Sequence, residues 1–135
     1  MEARLWNIGI KVTNVAAEVE YFVALGGRLL VHDRLVTPDG VSEYALMEFG
    51  GTRLFLTPAP IFEDRLPARP AAGLTHAVFE VADLDREAER LIALGTEVLI
   101  PPLEIDAKLG TRRIAFFRSP GGLVFEVMQI REARV

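Results

Sequence analysis

The stretch WNIGIKVTNVAAEVEYFVALGGRLLV, Trp6 to Val31, is answered later in the chain by THAVFEVADLDREAERLIALGTEVLI, Thr75 to Ile100. Laid over one another, Val12, Glu18, Glu20, Ala24, Leu25, Gly26 and Leu30 meet Val81, Glu87, Glu89, Ala93, Leu94, Gly95 and Leu99. Farther on, Gly50 and Gly51 fall on Gly121 and Gly122, and the apolar run Leu54–Leu56 falls on Phe125–Val127. A unit this long that occurs only twice is no solenoid repeat; it reads as two copies of one supersecondary module. The modules span residues 1–58 and 74–131. Between them residues 59–73, flanked by Pro58 and interrupted by Pro60, Pro67 and Pro70, show no apolar period and form a linker long enough to act as a lid or an arm to another subunit.

Working outward from the repeat, hydrophobic period gives each module the same internal order. Ile8, Ile10 and Val12 alternate with Asn7, Gly9 and Lys11, the pattern of a half-buried strand over Leu5–Thr13. Asn14 then offers a helix-capping oxygen, Val15, Val19, Phe22 and Val23 form an apolar stripe, and Gly26-Gly27 stops the helix. The second copy repeats this with Asp83 as cap, Leu84, Ala88, Leu91 and Ile92 as stripe, and Gly95 as terminator. Three extended runs follow each helix: Arg28–Leu35, Val41–Phe49 and Thr52–Thr57, then Glu97–Ile100, Thr111–Arg118 and Leu123–Ile130. Each module is therefore βαβββ, and the fold class is α+β, with two tandem modules forming curled mixed sheets around a cleft.

Alternation also assigns the two faces of those sheets. Ile8, Ile10, Leu54 and Leu56, with Ala77, Phe79, Phe125 and Val127, are expected beneath the helices as the main core. The opposite face carries Asn7, Gly9 and Lys11; Arg53, Phe55 and Thr57; His76, Val78 and Glu80; Val124, Glu126 and Met128. If the two sheets face one another, this second face lines a concavity in which Asn7 is equivalent to His76, and Phe55 to Glu126. Ala45, Met47, Phe49, Ile114 and Phe116 are expected as its apolar wall. Trp6 is expected on the helix side, as core or subunit contact, and His32 on the surface. Lys11 and Glu80, equivalent by the repeat, are expected to pair with each other. Glu126 has Arg53, Arg112 and Lys11 as conceivable ion-pair partners.

Composition narrows the function classes. With 135 residues, half of them hydrophobic and a quarter charged, the chain buries a sizeable core without disulfides or a structural metal. A net charge of -4 is the wrong sign for tracking phosphates, so nucleic acid is not an expected partner. No cysteine is present, and Ser42 and Ser119 are the only serines, neither near a histidine in the pattern, so nucleophilic acyl transfer has no constellation. The glycine pairs sit in turns that lead into strands, unlike phosphate-cradling loops. No apolar run is long enough to span a bilayer, and the opening MEARLWNIGIKV lacks a secretion signal's pattern, so a cytoplasmic address is expected.

The doubled βαβββ plan, the strand THAVFEV and the ending SPGGLVFEVMQ resemble the glyoxalase/bleomycin-resistance/dioxygenase group, the vicinal oxygen chelate superfamily, over nearly the whole chain. The resemblance implies a glyoxalase-like fold, a homodimer, and a divalent metal held in the cleft by the first and last strands of each module. Carried onto this chain, the metal positions fall on Asn7, Phe55, His76 and Glu126. His76 and Glu126 are the usual ligand types, Asn7 offers an amide oxygen, and a benzene ring at Phe55 cannot ligate. The resemblance therefore implies two functions that the residues leave open. One is an enzyme of isomerase, lyase or dioxygenase type acting on a small oxygenated molecule, with a weak divalent metal site, or with Glu126 and His76 moving a proton themselves. The other is a metal-free protein that binds or sequesters a small ligand, as bleomycin-resistance members do. Glu126 and His76 are the candidate catalytic residues, His76, Glu126 and Asn7 the candidate metal ligands, and Phe55, Lys11, Glu80, Arg53 and Phe116 the candidate substrate pocket.

Overall fold

Strand β1 (Arg4–Lys11) lies in the middle of the sheet and joins the two halves of the chain. In a computed structural model describing residues 1–135, it is followed by helix α1 (Val15–Ala24) and strands β2 (Arg28–Thr37), β3 (Gly40–Phe49) and β4 (Thr52–Thr57). After a short 3-10 turn at Glu63–Arg65 the order returns as β5 (Gly73–Glu80), α2 (Leu84–Ala93), β6 (Glu97–Ala107), β7 (Gly110–Arg118) and β8 (Val124–Ala133). All eight strands belong to one mixed sheet, ordered β2-β3-β4-β1-β5-β8-β7-β6. β1 runs parallel to β4 and antiparallel to β5, and β5 runs parallel to β8. The sheet curls into a half-barrel whose edge strands β2 and β6 approach each other. At that seam the backbone N–H of Lys108 donates to the Asp33 carboxylate at 3.0 Å.

Both helices begin and end as their caps dictate. The Asn14 and Asp83 side chains accept hydrogen bonds from the backbone N–H groups of Ala17 and Arg86, at 3.0 and 3.2 Å. Gly26 and Gly95 take up the left-handed conformation (φ 99° and 83°) that terminates each helix. Val15, Val19 and Phe22 of α1 pack on Leu54, Leu56 and Met47, while Leu84, Ala88 and Leu91 of α2 pack on Ala115, Phe117 and Val127. Val23 and Ile92, expected in these stripes, are exposed instead: Phe22 and Leu91, one residue earlier, take the sheet-facing position in the last turn and the next residue, about 100° farther round the helix, turns outward.

The largest core lies on the other face. Fifteen buried residues, among them Trp6, Tyr44, Leu46, Phe62, Val78, Ile114 and Phe116, fill the inside of the half-barrel, against six beneath each helix. Curling a sheet this far brings opposite strands of one face into contact, so the inner face must be largely apolar to be desolvated. On β3, Ala45 and Met47 pack beneath α1, with Phe49 beside them, rather than on the cleft wall as expected. Tyr44 and Leu46 take the inner face, because Leu46 lies opposite the inward-facing Phe55 and cross-strand neighbours share a face. The continuous apolar run YALM gives no phase of its own, which is why alternation misplaced it.

Strand β6 continues through Pro101 and Pro102 to Ala107, beyond the expected end at Ile100. It tolerates two prolines because it is an edge strand with register shifts on either side of Ile100. Trp6 also reverses expectation: an irregularity between Leu5 and Asn7 leaves Trp6 without a partner on β5, and its ring joins the inner core.

Candidate functional site

Inside the half-barrel the polar groups are few, and four of them come from four adjacent strands. Asn7 is on β1, His76 on β5, Glu126 on β8 and Arg112 on β7, and all four line one cavity of about 50 Å³. The remaining wall is mainly apolar, including Trp6, Phe55, Phe62, Phe116 and Met128. His76 Nε2 lies 3.6 Å from Glu126 Oε1, with the two side chains 5% and 12% exposed. Antiparallel pairing of β5 with β1 and parallel pairing of β5 with β8 give these residues their common face, with Val78 opposite Glu126 in the ladder.

The imidazole is fixed on several sides. Nδ1 is 2.9 Å from the Thr75 hydroxyl, and the rings of Phe62 and Phe116 stand at centroid distances of 5.0 and 5.4 Å. Its fourth neighbour is a backbone: Gly9 lies directly opposite His76 in the ladder, and a Cβ on residue 9 would fall 2.0 Å from His76 Cε1. Glycine inside a strand marks such a close approach, so the sequence carried this signal at Gly9. Either group can donate in the Thr75–Nδ1 contact; in the tautomer in which the hydroxyl donates, the ring proton is on Nε2, the nitrogen nearest Glu126.

Arg112 is 2% exposed. Its guanidinium carbon is 4.3 Å from the centroid of the Trp6 ring, Nη2 donates to the Leu109 carbonyl at 3.2 Å and Nη1 to the Met128 sulfur at 3.2 Å, while Nε has no partner. Burial lowers its pKa, opposed chiefly by the field of Glu126. Tyr44, stacked on Phe55 at 4.9 Å, has its hydroxyl buried without a partner, and burial pushes its pKa up to about 12.

Several expected site residues lie elsewhere. Lys11 does not reach Glu80 or Glu126; it donates to Glu63 of the linker at 2.8 Å. Glu80 pairs with Arg4 at 2.6 Å on the outside. Lys11 and Glu80 are far apart because β1 and β5 run antiparallel, which puts repeat-equivalent ends at opposite ends of the ladder: Arg4 is opposite Glu80, and Lys11 opposite Gly73. Arg53 does not line the cavity; it lies over the Trp6 ring at 4.1 Å and donates to the Trp6 carbonyl at 3.3 Å. Glu126 forms no ion pair with Arg53, Arg112 or Lys11. His32 pairs with Glu43 at 2.7 Å on the surface, as expected of a residue outside the cleft. Phe55 and Phe116 do line the cavity. Phe62 is the residue that the sequence did not disclose. It is 1% exposed and packs on both His76 and Phe116, yet the linker that carries it has no periodicity from which its position could be read.

The family model of the Glyoxalase/Bleomycin resistance protein/Dioxygenase superfamily matches residues 4–127. The chain belongs to this superfamily. Solved structures of similar fold include a hypothetical protein, BH1468, from Bacillus halodurans, at 19% identity and TM-score 0.74, covering 98% of this chain and 97% of that one. Methylmalonyl-CoA epimerase from Streptomyces coelicolor, an E43Q form in complex with 2-nitronate-propionyl-CoA, matches at 22% identity and TM-score 0.76, covering 97% and 99% of the two chains. A mutant 4-hydroxymandelate synthase from Streptomyces coelicolor matches at 17% identity and TM-score 0.71, over 98% of this chain and 49% of that one. No curated protein matches the chain by sequence. No helix is long and apolar enough to cross a membrane.

Members of the superfamily typically use a divalent metal. The residues at the corresponding cleft positions here do not fit one. His76 and Glu126 are the two strong donors, no group of three or more His, Asp or Glu side chains converges anywhere in the chain, and Phe55 is stacked on Tyr44. The Asn7 amide nitrogen donates to the Ile8 carbonyl at 3.3 Å, and its oxygen would be the only further protein ligand.

Proposed function

We propose that the cleft takes up a small oxygenated molecule and moves a proton on it, as an isomerase-type member of the superfamily, with Glu126 and His76 as the reacting pair. The observation that supports this most directly is the buried approach of His76 Nε2 to Glu126 Oε1 at 3.6 Å in an otherwise apolar cavity. Glu126 accepts a proton from a carbon next to a carbonyl, the C–H electron pair moves into the carbonyl, and His76 Nε2–H hydrogen-bonds the oxygen on which charge develops. Asn7, which spends one of its two amide hydrogens on Ile8, has the other available to the same oxygen. Return of the same proton from Glu126 to a neighbouring carbon, as the enolate electrons re-form a carbonyl, completes an isomerisation. Similarity in fold to an epimerase accords with this reading without assigning its substrate.

A cavity of about 50 Å³ is smaller than an ordinary ligand pocket of roughly 300 Å³ or more, so substrate is admitted only when Phe62 and its linker withdraw. Lys11–Glu63 and Arg65–Asp39, at 2.8 and 2.7 Å, tie that linker to β1 and to the β2–β3 turn. The second reading, ligand binding without turnover, is favoured by the aromatic side chains of Phe55 and Phe62 on the cleft wall. Incubation in D2O with small ketones and 2-oxo acids, followed by proton NMR, separates the two. Proton transfer predicts catalysed exchange at the carbon next to the carbonyl, slowed by about a hundredfold or more in Glu126→Gln. Binding shifts with no exchange above the uncatalysed rate would replace the enzymatic reading by the binding one.

A further inference from the structure

Of the two charged side chains that are fully buried, one is partnered and one is not. Glu63 meets Lys11, whereas Arg112 has no carboxylate within ion-pair distance. A buried guanidinium is costly unless its charge and its donors are met, and it presents five N–H groups in a planar fork. Here it uses two, one of them on a thioether, a weak acceptor, and leaves Nε unused in the wall of the cavity. Unsatisfied buried donors of this kind are rare in folded proteins and mark either strain or an absent partner.

The alternation of β7 explains why Arg112 points inward. Arg112, Ile114 and Phe116 share the inner face, while Arg113, Ala115 and Phe117 face α2. The Trp6 ring meets the guanidinium in a cation–π contact, which holds it in place without neutralising it. Planar, oriented and desolvated donors match a carboxylate better than any neutral group.

We propose that Arg112 is the anchor for a carboxylate group on the ligand, so that the cleft selects small organic acids over their neutral analogues. This rests on reading the cleft as a ligand site and adds the substrate class to it. The acid docks on the Arg112 fork at one end of the cavity and presents its neighbouring carbon to Glu126 and His76 at the other. Glu126 repels the bound anion, so removing its charge tightens binding.

Trp6 is the only tryptophan, so the protein's tryptophan fluorescence reports on the ring that Arg112 and Arg53 both contact, and Arg112→Met separates the Arg112 contribution. The full-length protein is titrated with acetate, pyruvate and oxalate in low-chloride buffer, and in parallel with acetamide, pyruvamide and oxamide. At least one acid should give a saturable change that its amide does not. Arg112→Met should weaken that acid about thirtyfold or more, Arg112→Lys less, and Glu126→Gln should bind it at least as tightly as the unaltered protein. Arg112→Met should also melt no lower than the unaltered protein, since it removes a buried charge that has no ion-pair partner. Equal response to acids and amides, no saturable response to any acid, or acid binding undiminished in Arg112→Met would overturn the proposal. Acid binding without proton exchange would sink the isomerase reading and leave the anchor standing; proton exchange with no preference for acids would do the reverse.

Discussion

Replacing Gly9 by Ala tests whether the position of His76 is set by the backbone beneath it. An added Cβ would lie 2.0, 2.2 and 2.8 Å from His76 Cε1, Nδ1 and Nε2. Normal contact between such atoms is about 3.5 Å or more, so the ring must retreat by roughly 1.5 Å. It cannot do so freely, because Phe62 and Phe116 pack against it and Thr75 is hydrogen-bonded to Nδ1. Overpacking of this kind costs about 1–3 kcal/mol, which for a chain of this size lowers the melting temperature by roughly 4–12 °C. The decisive assay is a double-mutant cycle by thermal or urea unfolding. In a His76→Ala background the clash is gone, so Gly9→Ala should then cost less than about 0.5 kcal/mol, and the coupling should recover most of the single-mutant loss. The protein has only two histidines, so the His76 ring resonances are identified by comparison with His32→Gln and should shift in Gly9→Ala. If Gly9→Ala costs the same whether or not His76 is present, the reasoning from close approach is wrong.

Two further outcomes follow from the same packing. Phe62→Ala should destabilise by about 3–5 kcal/mol and expose the cleft. His76, protected from diethylpyrocarbonate in the unaltered protein, should become reactive, and equal modification rates by mass spectrometry would show that Phe62 does not cover it. The second concerns pH. The backbone N–H groups of Lys108 and Arg34 hold the Asp33 carboxyl below its usual pKa, so its contribution to stability is present above about pH 4 and is lost as pH falls through the lowered folded value. Asp33→Asn should flatten that acid limb by no more than about 1 kcal/mol, because the group is near the surface. A stability–pH profile below pH 4 that is identical in the two proteins would contradict the role of the seam contact.

The relation between sequence and site is clearest residue by residue. That His76 and Glu126 share the inner face was legible because strand alternation and the internal repeat are local properties: a period of two assigns each residue a face, whatever the rest of the chain does. Gly9 was legible in the same way, as a glycine on the face that carries the histidine. Alternation failed at Trp6, where an irregular register adds a residue, and along Tyr44–Met47, where an uninterrupted apolar run has no phase. It failed also for the pairing of Lys11 with Glu80, since repeat equivalence does not say whether two strands run parallel or antiparallel.

The amino-acid sequence by itself determined the doubled βαβββ plan, the helix caps, and a histidine and a glutamate on one sheet face, because short-range periodicity and capping chemistry need no knowledge of distant partners. Only the tertiary structure decided that the inner face would be the main core, that Phe62 from an aperiodic linker would seat against His76, and that Arg112 would be buried with no acid beside it. Those outcomes depend on how far the sheet curls and which groups it desolvates together. That is a property of long-range packing, to which no local pattern of residues corresponds.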